Sequence, residues 1–136
     1  HENQQNGSKY IVEEVNALNV EKELQDLVNE LDEKIIETEI FKQHNLSIIE
    51  IADLANVHPR KVSLAINTIT NQNFNSYINT FRINKAKAIL LSEMSNKLSI
   101  EGVGNEVGFQ SKSAFYASFK KLVGETPTKF KQSSQL

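Results

Sequence analysis

The chain has 136 residues, of which 39% are hydrophobic, and this length suits one compact domain or two very small ones. It contains no cysteine, which excludes disulfides, thiolate catalysis and cysteine-based zinc sites. Nothing approaches 18 consecutive apolar residues, so no segment is predicted to span a membrane, and no secretory signal is visible. The chain begins with His1 rather than Met, and we expect it to be part of a longer protein.

The formal net charge of −2 hides an uneven distribution of charge along the chain. Residues 1–44 carry four basic and eleven acidic residues, a net charge of −7. Residues 45–136 carry eleven basic and six acidic residues, a net charge of +5. A basic half suggests nucleic acid as a partner, although a solvated basic surface has the same composition.

The first 44 residues are predicted to form a flexible segment followed by one acidic helix. Residues 1–18 are polar and irregular at their start, and we expect them to be flexible. Asn19 is a suitable N-cap for a lead-in helix over 19–44. Its apolar face consists of Val20, Leu24, Leu27, Val28, Leu31 and Ile35. This face predicts packing on the rest of the domain, and a short dimerising coiled coil is the alternative because part of the spacing is heptad-like.

Residues 45–94 contain the signals of two short helices followed by a long connecting helix. The first short helix starts at a capping box formed by Ser47 and Glu50. It ends at Asn56, which is suited to a left-handed turn. The second short helix, predicted over about 59–70, has a core face at helical spacing, which consists of Val62, Ala65, Ile66 and Ile69.

Residues 95–136 repeat this arrangement and add a short C-terminal helix. Gly108 is predicted to make a left-handed turn between two helices, with Phe109 filling the angle between them. Ser111 is predicted to cap the second of these helices, over about 111–123. The side chains that this helix is predicted to bury are Phe115, Ser118, Phe119 and Leu122.

The two passages are copies of one helix–turn–helix unit. At an offset of 52 residues Ala52 corresponds to Gly104, and both are small enough to let the second helix of their unit approach closely. At an offset of 53 residues Val62 corresponds to Phe115. The sequence therefore predicts an all-α fold of about seven helices, in which two homeodomain-like helix–turn–helix subdomains are joined by a long connecting helix.

Tandem helix–turn–helix units joined by a long helix resemble the AraC/XylS family of bacterial transcription regulators. The second unit carries the more specific pattern, "EVGFQSKSAFYASFKKLVGETPTKFK", and "NFNSYINTFRINKAKAILL" is similar to the connecting helix of the family. The resemblance covers about residues 45–131. The pattern departs from the family at His58, where Ser usually caps the helix, so we expect the first recognition helix to start less firmly.

The resemblance implies double-stranded DNA as a partner, together with the transcription machinery, and it implies no cofactor. It further implies an effector or sensor region on an N-terminal part that this sequence does not contain. The DNA-binding part is expected in the cytoplasm, even where the full-length protein is membrane-linked.

The resemblance and the predicted core faces together indicate which side chains meet DNA. The second helix of a helix–turn–helix unit lies in the major groove, so the recognition helices at about 59–70 and 111–123 are expected in successive major grooves. The residues expected to contact bases are Arg60, Ser63, Leu64, Lys112, Ser113, Tyr116 and Ala117. Those expected to contact phosphates are Lys61, Lys120 and Lys121.

Several of these residues have a second interpretation. Leu64 is equally suited to packing against the connecting helix, and Lys121 to a solvated surface position. Asn67, on the outward face of the first recognition helix, is equally suited to bonding local backbone groups. Arg82 in the connecting helix is expected to pair with a carboxylate rather than with DNA. The three histidines are scattered and predict no metal site.

The sequence favours sequence-specific DNA binding within a transcription regulator. The alternative is a helical protein–protein interaction module in a signalling protein, with the acidic helix docking a partner. That alternative leaves unexplained why both copies place polar or basic residues on equivalent faces. An enzyme is disfavoured because the sequence has no Gly-rich phosphate loop and no nucleophile elbow. We expect a monomer, with the acidic helix packed through Leu24, Leu27 and Leu31 onto the first unit.

Overall fold

The computed structural model describes residues 2–134, and side chains from Ser8 onward, in seven α-helices and two short 3₁₀ turns. The helices are α1 (Glu2–Thr38), α2 (Ile48–Ala55), α3 (Pro59–Thr70), α4 (Phe74–Leu90), α5 (Ile100–Glu106), α6 (Lys112–Val123) and α7 (Pro127–Ser134). The described residues contain no strand, and the predicted fold class is confirmed. Over the same residues, no helix combines the length and the apolarity that a bilayer crossing requires.

The N-terminal helix starts earlier than the sequence suggested. α1 begins at Glu2 and continues through Asn19 without a break, so the predicted helix start at Asn19 is wrong. The side chains of residues 8–23 are all exposed, and this part of the helix is stabilised by continuation from its packed C-terminal half rather than by burial. The predicted flexibility of residues 1–18 stays a prediction, and His1 lies outside the described residues.

The C-terminal half of α1 belongs to the first helix–turn–helix unit. Leu24, Leu27 and Leu31 lie against α2 and α3, with exposed fractions of 5%, 7% and 0%. Val20, predicted on the same face, is 52% exposed, so the buried stripe starts one turn later. The acidic helix therefore uses its apolar face inside its own domain, and the coiled-coil alternative through these leucines is wrong.

Two polar contacts fix α1 against the other helices of this unit. The Lys34 ammonium donates a hydrogen bond to the carbonyl oxygen of Leu54 at the end of α2, at 2.7 Å. The Tyr77 hydroxyl on α4 donates to the Asp32 carboxylate at 2.5 Å. Burial, and then the Asp32 carboxylate, raise the pKa of Tyr77, so the hydroxyl stays protonated as a donor.

The connecting helix α4 contributes to two separate cores. Its N-terminal half places Tyr77 and Ile78 in the core of the first unit. Its C-terminal half supplies Ile83, Ala86, Ile89 and Leu90 to the core of the second unit, where they meet Val103, Val107, Phe109, Phe115 and Phe119. Leu122 was predicted to be buried there, but it is 43% exposed, because it lies at the edge of α6 that faces the gap between the units.

The two units use the same turn with different residues. Asn56 and Gly108 both have positive φ angles, of 52° and 113°. In each unit the next residue donates its N–H to the carbonyl five positions earlier, at 3.1 and 3.0 Å. These equal hydrogen bonds are those of a helix end closed by a left-handed residue, as the repeat predicted.

Gly104 lets α6 approach α5 in the second unit. A Cβ atom at this position would lie 2.5 to 2.9 Å from the side chain of Phe115, which is fully buried. The corresponding residues in the first unit are Ala52 and Val62, which are also buried. The second unit thus pairs a smaller residue with a larger one, glycine with phenylalanine, where the first unit pairs alanine with valine.

This size relation predicts that Gly104→Ala overpacks the second core. We expect it to lower the free energy of unfolding by about 1–3 kcal/mol, measured by urea denaturation. The double variant Gly104→Ala/Phe115→Val recreates the first unit's pair. Its loss in free energy of unfolding should be smaller, by at least about 0.5 kcal/mol, than the summed losses of the two single variants. Strict additivity of the two losses would contradict the proposed contact.

Candidate nucleic-acid interface

The first recognition helix, α3, starts at a capped position. The His58 side chain accepts the backbone N–H of Arg60 through Nδ1, at 3.1 Å. Beyond this cap the outward face is exposed, and it consists of Arg60, Ser63, Leu64 and Asn67. Leu64 is 55% exposed, which disfavours the interpretation that it packs against α4. The predicted inward residues Val62, Ala65 and Ile66 are buried.

Lys61 turns toward α1 instead of outward. Its ammonium lies 2.5 Å from a carboxylate oxygen of Glu23, and both side chains are partly exposed. An ion pair of this kind contributes about 0–1 kcal/mol, so a phosphate can compete with Glu23 for the lysine. No local sequence pattern indicates this partner, because the two residues are 38 positions apart.

The second recognition helix, α6, starts at Ser111, whose hydroxyl accepts the N–H of Ala114 at 3.1 Å. Its exposed residues include the predicted Lys112, Ser113, Ala117, Lys120 and Lys121, whereas Tyr116 is half-buried. The Lys112 ammonium lies 3.2 Å from Glu101 and 5.4 Å from the centre of the Tyr116 ring. Lys112 and Tyr116 therefore form one local group at the start of the helix.

Other cations of the predicted interface have no carboxylate nearby. Within the part of the chain whose side chains are described, no carboxylate oxygen lies within 4.0 Å of Arg60, Lys120 or Lys121. By contrast, Lys85 and then Lys42 bond Glu39, and these contacts lower the pKa of that carboxyl. The exposed faces of both recognition helices thus keep positive charge available for an anionic partner.

Arg82 ties the connecting helix α4 to the segment just before α2 through two backbone carbonyls. Its Nε donates to the carbonyl oxygen of Phe41 at 2.7 Å, and its terminal nitrogens donate to Gln43 O at 2.9 Å and to the Asn79 side chain at 3.1 Å. The guanidinium also lies 5.7 Å from the centre of the Phe109 ring. The predicted carboxylate partner is wrong. Burial lowers the pKa of Arg82, and the carbonyls rather than a counter-ion satisfy its donors.

Gly108 packs directly against this arginine. A Cβ at Gly108 would overlap the carbonyl oxygen of Phe41 and lie 2.8 Å from Arg82 Nε. The glycine therefore serves the turn and also the close approach of the second unit to residues 41–45. Sequence reasoning identified only the turn, because the second role depends on a segment more than 60 residues away.

Further polar contacts extend the same junction. The carbonyl oxygen of Asn105 lies 3.1 Å from the His44 ring nitrogen. Gln110 donates from its side chain to His44 O at 3.3 Å and to the Asn45 side chain. We call these contacts, together with those of Arg82, the inter-unit contact; it joins residues 41–45 and Arg82 to residues 105–110. It fixes how the two recognition helices are placed relative to one another.

Two capped helices that turn exposed polar faces outward, each as the second helix of its unit, define a tandem helix–turn–helix DNA-binding protein. A family model described as a helix-turn-helix domain matches residues 51–133, which is more than half of the chain. The chain belongs to this family of AraC-type helix–turn–helix domains, found in transcription regulators that bind DNA.

Known proteins show the same similarity. The chain is 30% identical over 91 residues to the Msm operon regulatory protein of Streptococcus mutans, covering 67% of this chain but only 32% of that protein. It is similar to the C-terminal domain of AraT, a response regulator from Geobacillus stearothermophilus, with 26% identity, a TM-score of 0.64 and coverage of 79% and 84% of the two chains. The fold also matches the DNA-binding domain of AdpA, solved with a target DNA, with 20% identity, a TM-score of 0.62 and coverage of 81% and 90%.

The inter-unit contact predicts a specific effect of Arg82→Lys. A lysine cannot reach both carbonyls in the geometry of the guanidinium fork, so at least one of them loses its donor. We expect a loss of about 1–3 kcal/mol in the free energy of unfolding. We also expect weaker binding to a duplex that engages both units, measured by fluorescence anisotropy. A duplex that engages one unit is the control, and equal losses on the two duplexes would contradict a role in placing the units.

Proposed function

We propose that α3 and α6 enter two successive major grooves on one face of a DNA duplex and contact bases there. The observation that carries this proposal is the inter-unit contact, which holds two equivalent exposed faces in one arrangement. The similarity in fold to a regulator domain solved with DNA supports it. Major grooves on one face of a duplex repeat every 34–36 Å or so, and the proposal requires the two helices to match that spacing.

The proposed base contacts follow from side-chain chemistry. Arg60 and Lys112 have the donors to bond the O6 and N7 atoms of guanine. Lys112 reaches a base by leaving Glu101, an exposed partner that contributes little. Leu64 presents an apolar surface suited to a thymine methyl group. Ser63, Ser113, Tyr116 and Ala117 complete the two base-contacting sets.

The proposed phosphate contacts are electrostatic. Lys120 and Lys121 lie in the last turn of α6 and are exposed. Lys61 joins them when a phosphate replaces Glu23. Each phosphate neutralised by a lysine releases counterions, so affinity falls as salt concentration rises.

The alternative of a protein–protein module receives one supporting observation. The exposed part of α1 carries apolar side chains along its length, namely Tyr10, Ile11, Val12, Val15, Leu18 and Val20. However, the apolar face of this helix at Leu24, Leu27 and Leu31 is already covered by α2 and α3. DNA binding therefore remains the function that the geometry supports best.

The roles of the whole protein are part of the same proposal. This chain spans about a third of the length of the curated relative that it matches. We propose that the longer protein carries an effector or sensor region N-terminal to this one and engages the transcription machinery. The DNA-binding part would act in the cytoplasm.

The proposal predicts an asymmetric site made of two dissimilar blocks about one turn, or 10–10.5 base pairs, apart. Selection from random duplex DNA at a stated salt concentration should recover it. Arg60→Ala should relax preference in one block only and Lys112→Ala in the other, at about 1–3 kcal/mol each. Inserting about five base pairs between the blocks moves them to opposite faces and should abolish the joint gain in affinity. Undiminished binding to the spaced site would show that only one unit contacts bases.

We also predict that this chain is a monomer at micromolar concentration, measured by sedimentation velocity. Its leucine stripe is buried internally, and the exposed residues Ile11, Val15 and Leu18 provide less than the several heptads that a stable coiled coil uses. Val15→Asp is the matched variant, because Val15 is 48% exposed and its replacement leaves the core intact. A dimer that this variant dissociates would contradict the prediction.

A further inference from the structure

A cleft of about 440 Å³ lies between the two units. On one side are the loop after α3 and the first turns of α4, and on the other is the C-terminal half of α6. We call it the polar cleft, and the residues that matter here are Asn71, Asn73, Ser76, Asn79, Ser118 and Lys121. The chain has 17 acidic residues, yet none of the described residues lining this cleft is acidic. The lining therefore offers hydroxyls, amides and one cation to an anionic group.

The outward faces of both recognition helices lead into this cleft. Asn71 follows Asn67 by four positions and Arg60 by eleven, which places all three along one side of α3 and its C-cap. Lys121 follows Ala117 by four positions and Ser113 by eight. The polar cleft therefore lies between the two proposed base-contacting faces and adjoins both of them.

The base of the cleft is tied to the inter-unit contact. The side-chain NH₂ of Asn79 donates across the cleft to the Ser118 hydroxyl at 3.4 Å, and its side-chain oxygen accepts from Arg82 at 3.1 Å. At the rim, the side-chain oxygen of Asn73 accepts the Ser76 N–H at 2.8 Å and caps α4. The NH₂ group of Asn73 remains as a donor, next to the positive end of a 17-residue helix.

We propose that the polar cleft binds the sugar–phosphate backbone of DNA where the duplex passes between the two grooves. The inference rests on the proposed function. With α3 and α6 in successive major grooves on one face, the strands bordering the intervening minor groove lie between them. Asn73, the start of α4 and Lys121 then supply donors to phosphate oxygens. Leu122, 43% exposed at the same edge, lies against deoxyribose.

Asn73→Asp tests this site while preserving the helix cap. Aspartate caps a helix as well as asparagine and suits a helix N-terminus, so thermal stability should be unchanged or slightly higher. In the cleft, however, the added carboxylate repels phosphate. We expect at least about fivefold weaker binding to the selected two-block duplex. Affinity for duplexes of unrelated sequence should fall by a similar factor, because phosphate contacts carry no sequence information.

Ser92→Asp is the matched control. Ser92 is also an N-cap, exposed at the opposite end of α4, about 25 Å from Asn73 along the helix. It receives the same negative charge away from the cleft. A second comparison uses Lys121→Ala against Lys97→Ala, where the first should reduce the slope of log affinity against log salt by about 1 and the second should not.

Neutral methylphosphonates identify the phosphates involved. Placed between the two blocks, they should weaken DNA binding by the unsubstituted protein. They should also remove the extra loss of affinity that Asn73→Asp causes on the unmodified duplex. If Asn73→Asp and Ser92→Asp have the same affinity for the two-block duplex, the cleft does not bind the DNA backbone. The same conclusion follows if the affinity loss of Asn73→Asp persists on the methylphosphonate duplex. If the unsubstituted protein binds two blocks no better than one, the proposed function itself fails, and this inference fails with it.

Discussion

The inter-unit contact around Arg82, His44 and Gln110 is the constraint on which the arrangement of the molecule depends. Each helix–turn–helix unit has its own core and α4 enters both, so the contacts between the units act on the freedom that this helix leaves. The guanidinium fork and its five donors can satisfy the end of a 3₁₀ turn and the Asn79 side chain together. Gly108 makes this possible, because a side chain there would occupy the same space.

From this constraint follows the way the protein can bind DNA. α4 is a rigid connection that enters both cores, and the inter-unit contact removes the remaining freedom of the second unit relative to the first. The two proposed sets of base contacts, held in one arrangement, would act as a single larger site, since the second set binds at high effective concentration. The polar cleft lies between these sets and is connected to Arg82 through Asn79.

Local features of the structure were predictable from the sequence, and long-range ones were not. The caps at Ser47 and Ser111 and the left-handed residues Asn56 and Gly108 were correctly predicted, because each depends on a few neighbouring residues. The start of α1 was missed, because Asn19 is a suitable N-cap that here lies inside one continuous helix. The partners of Arg82 and Lys61 and the exposure of Leu122 were missed because they depend on distant segments that no local pattern marks.

The placement of the two units before DNA arrives is the central claim, and a spin-label distance measurement tests it directly. The chain has no cysteine, so Thr68→Cys/Lys129→Cys places one label on each unit, at exposed residues outside the proposed DNA contacts. Double electron–electron resonance should give a single narrow distance distribution without DNA that changes little when a two-block duplex binds. Adding Arg82→Ala should broaden it. A broad distribution in the protein with Arg82 intact, narrowing only on DNA, would contradict the claim.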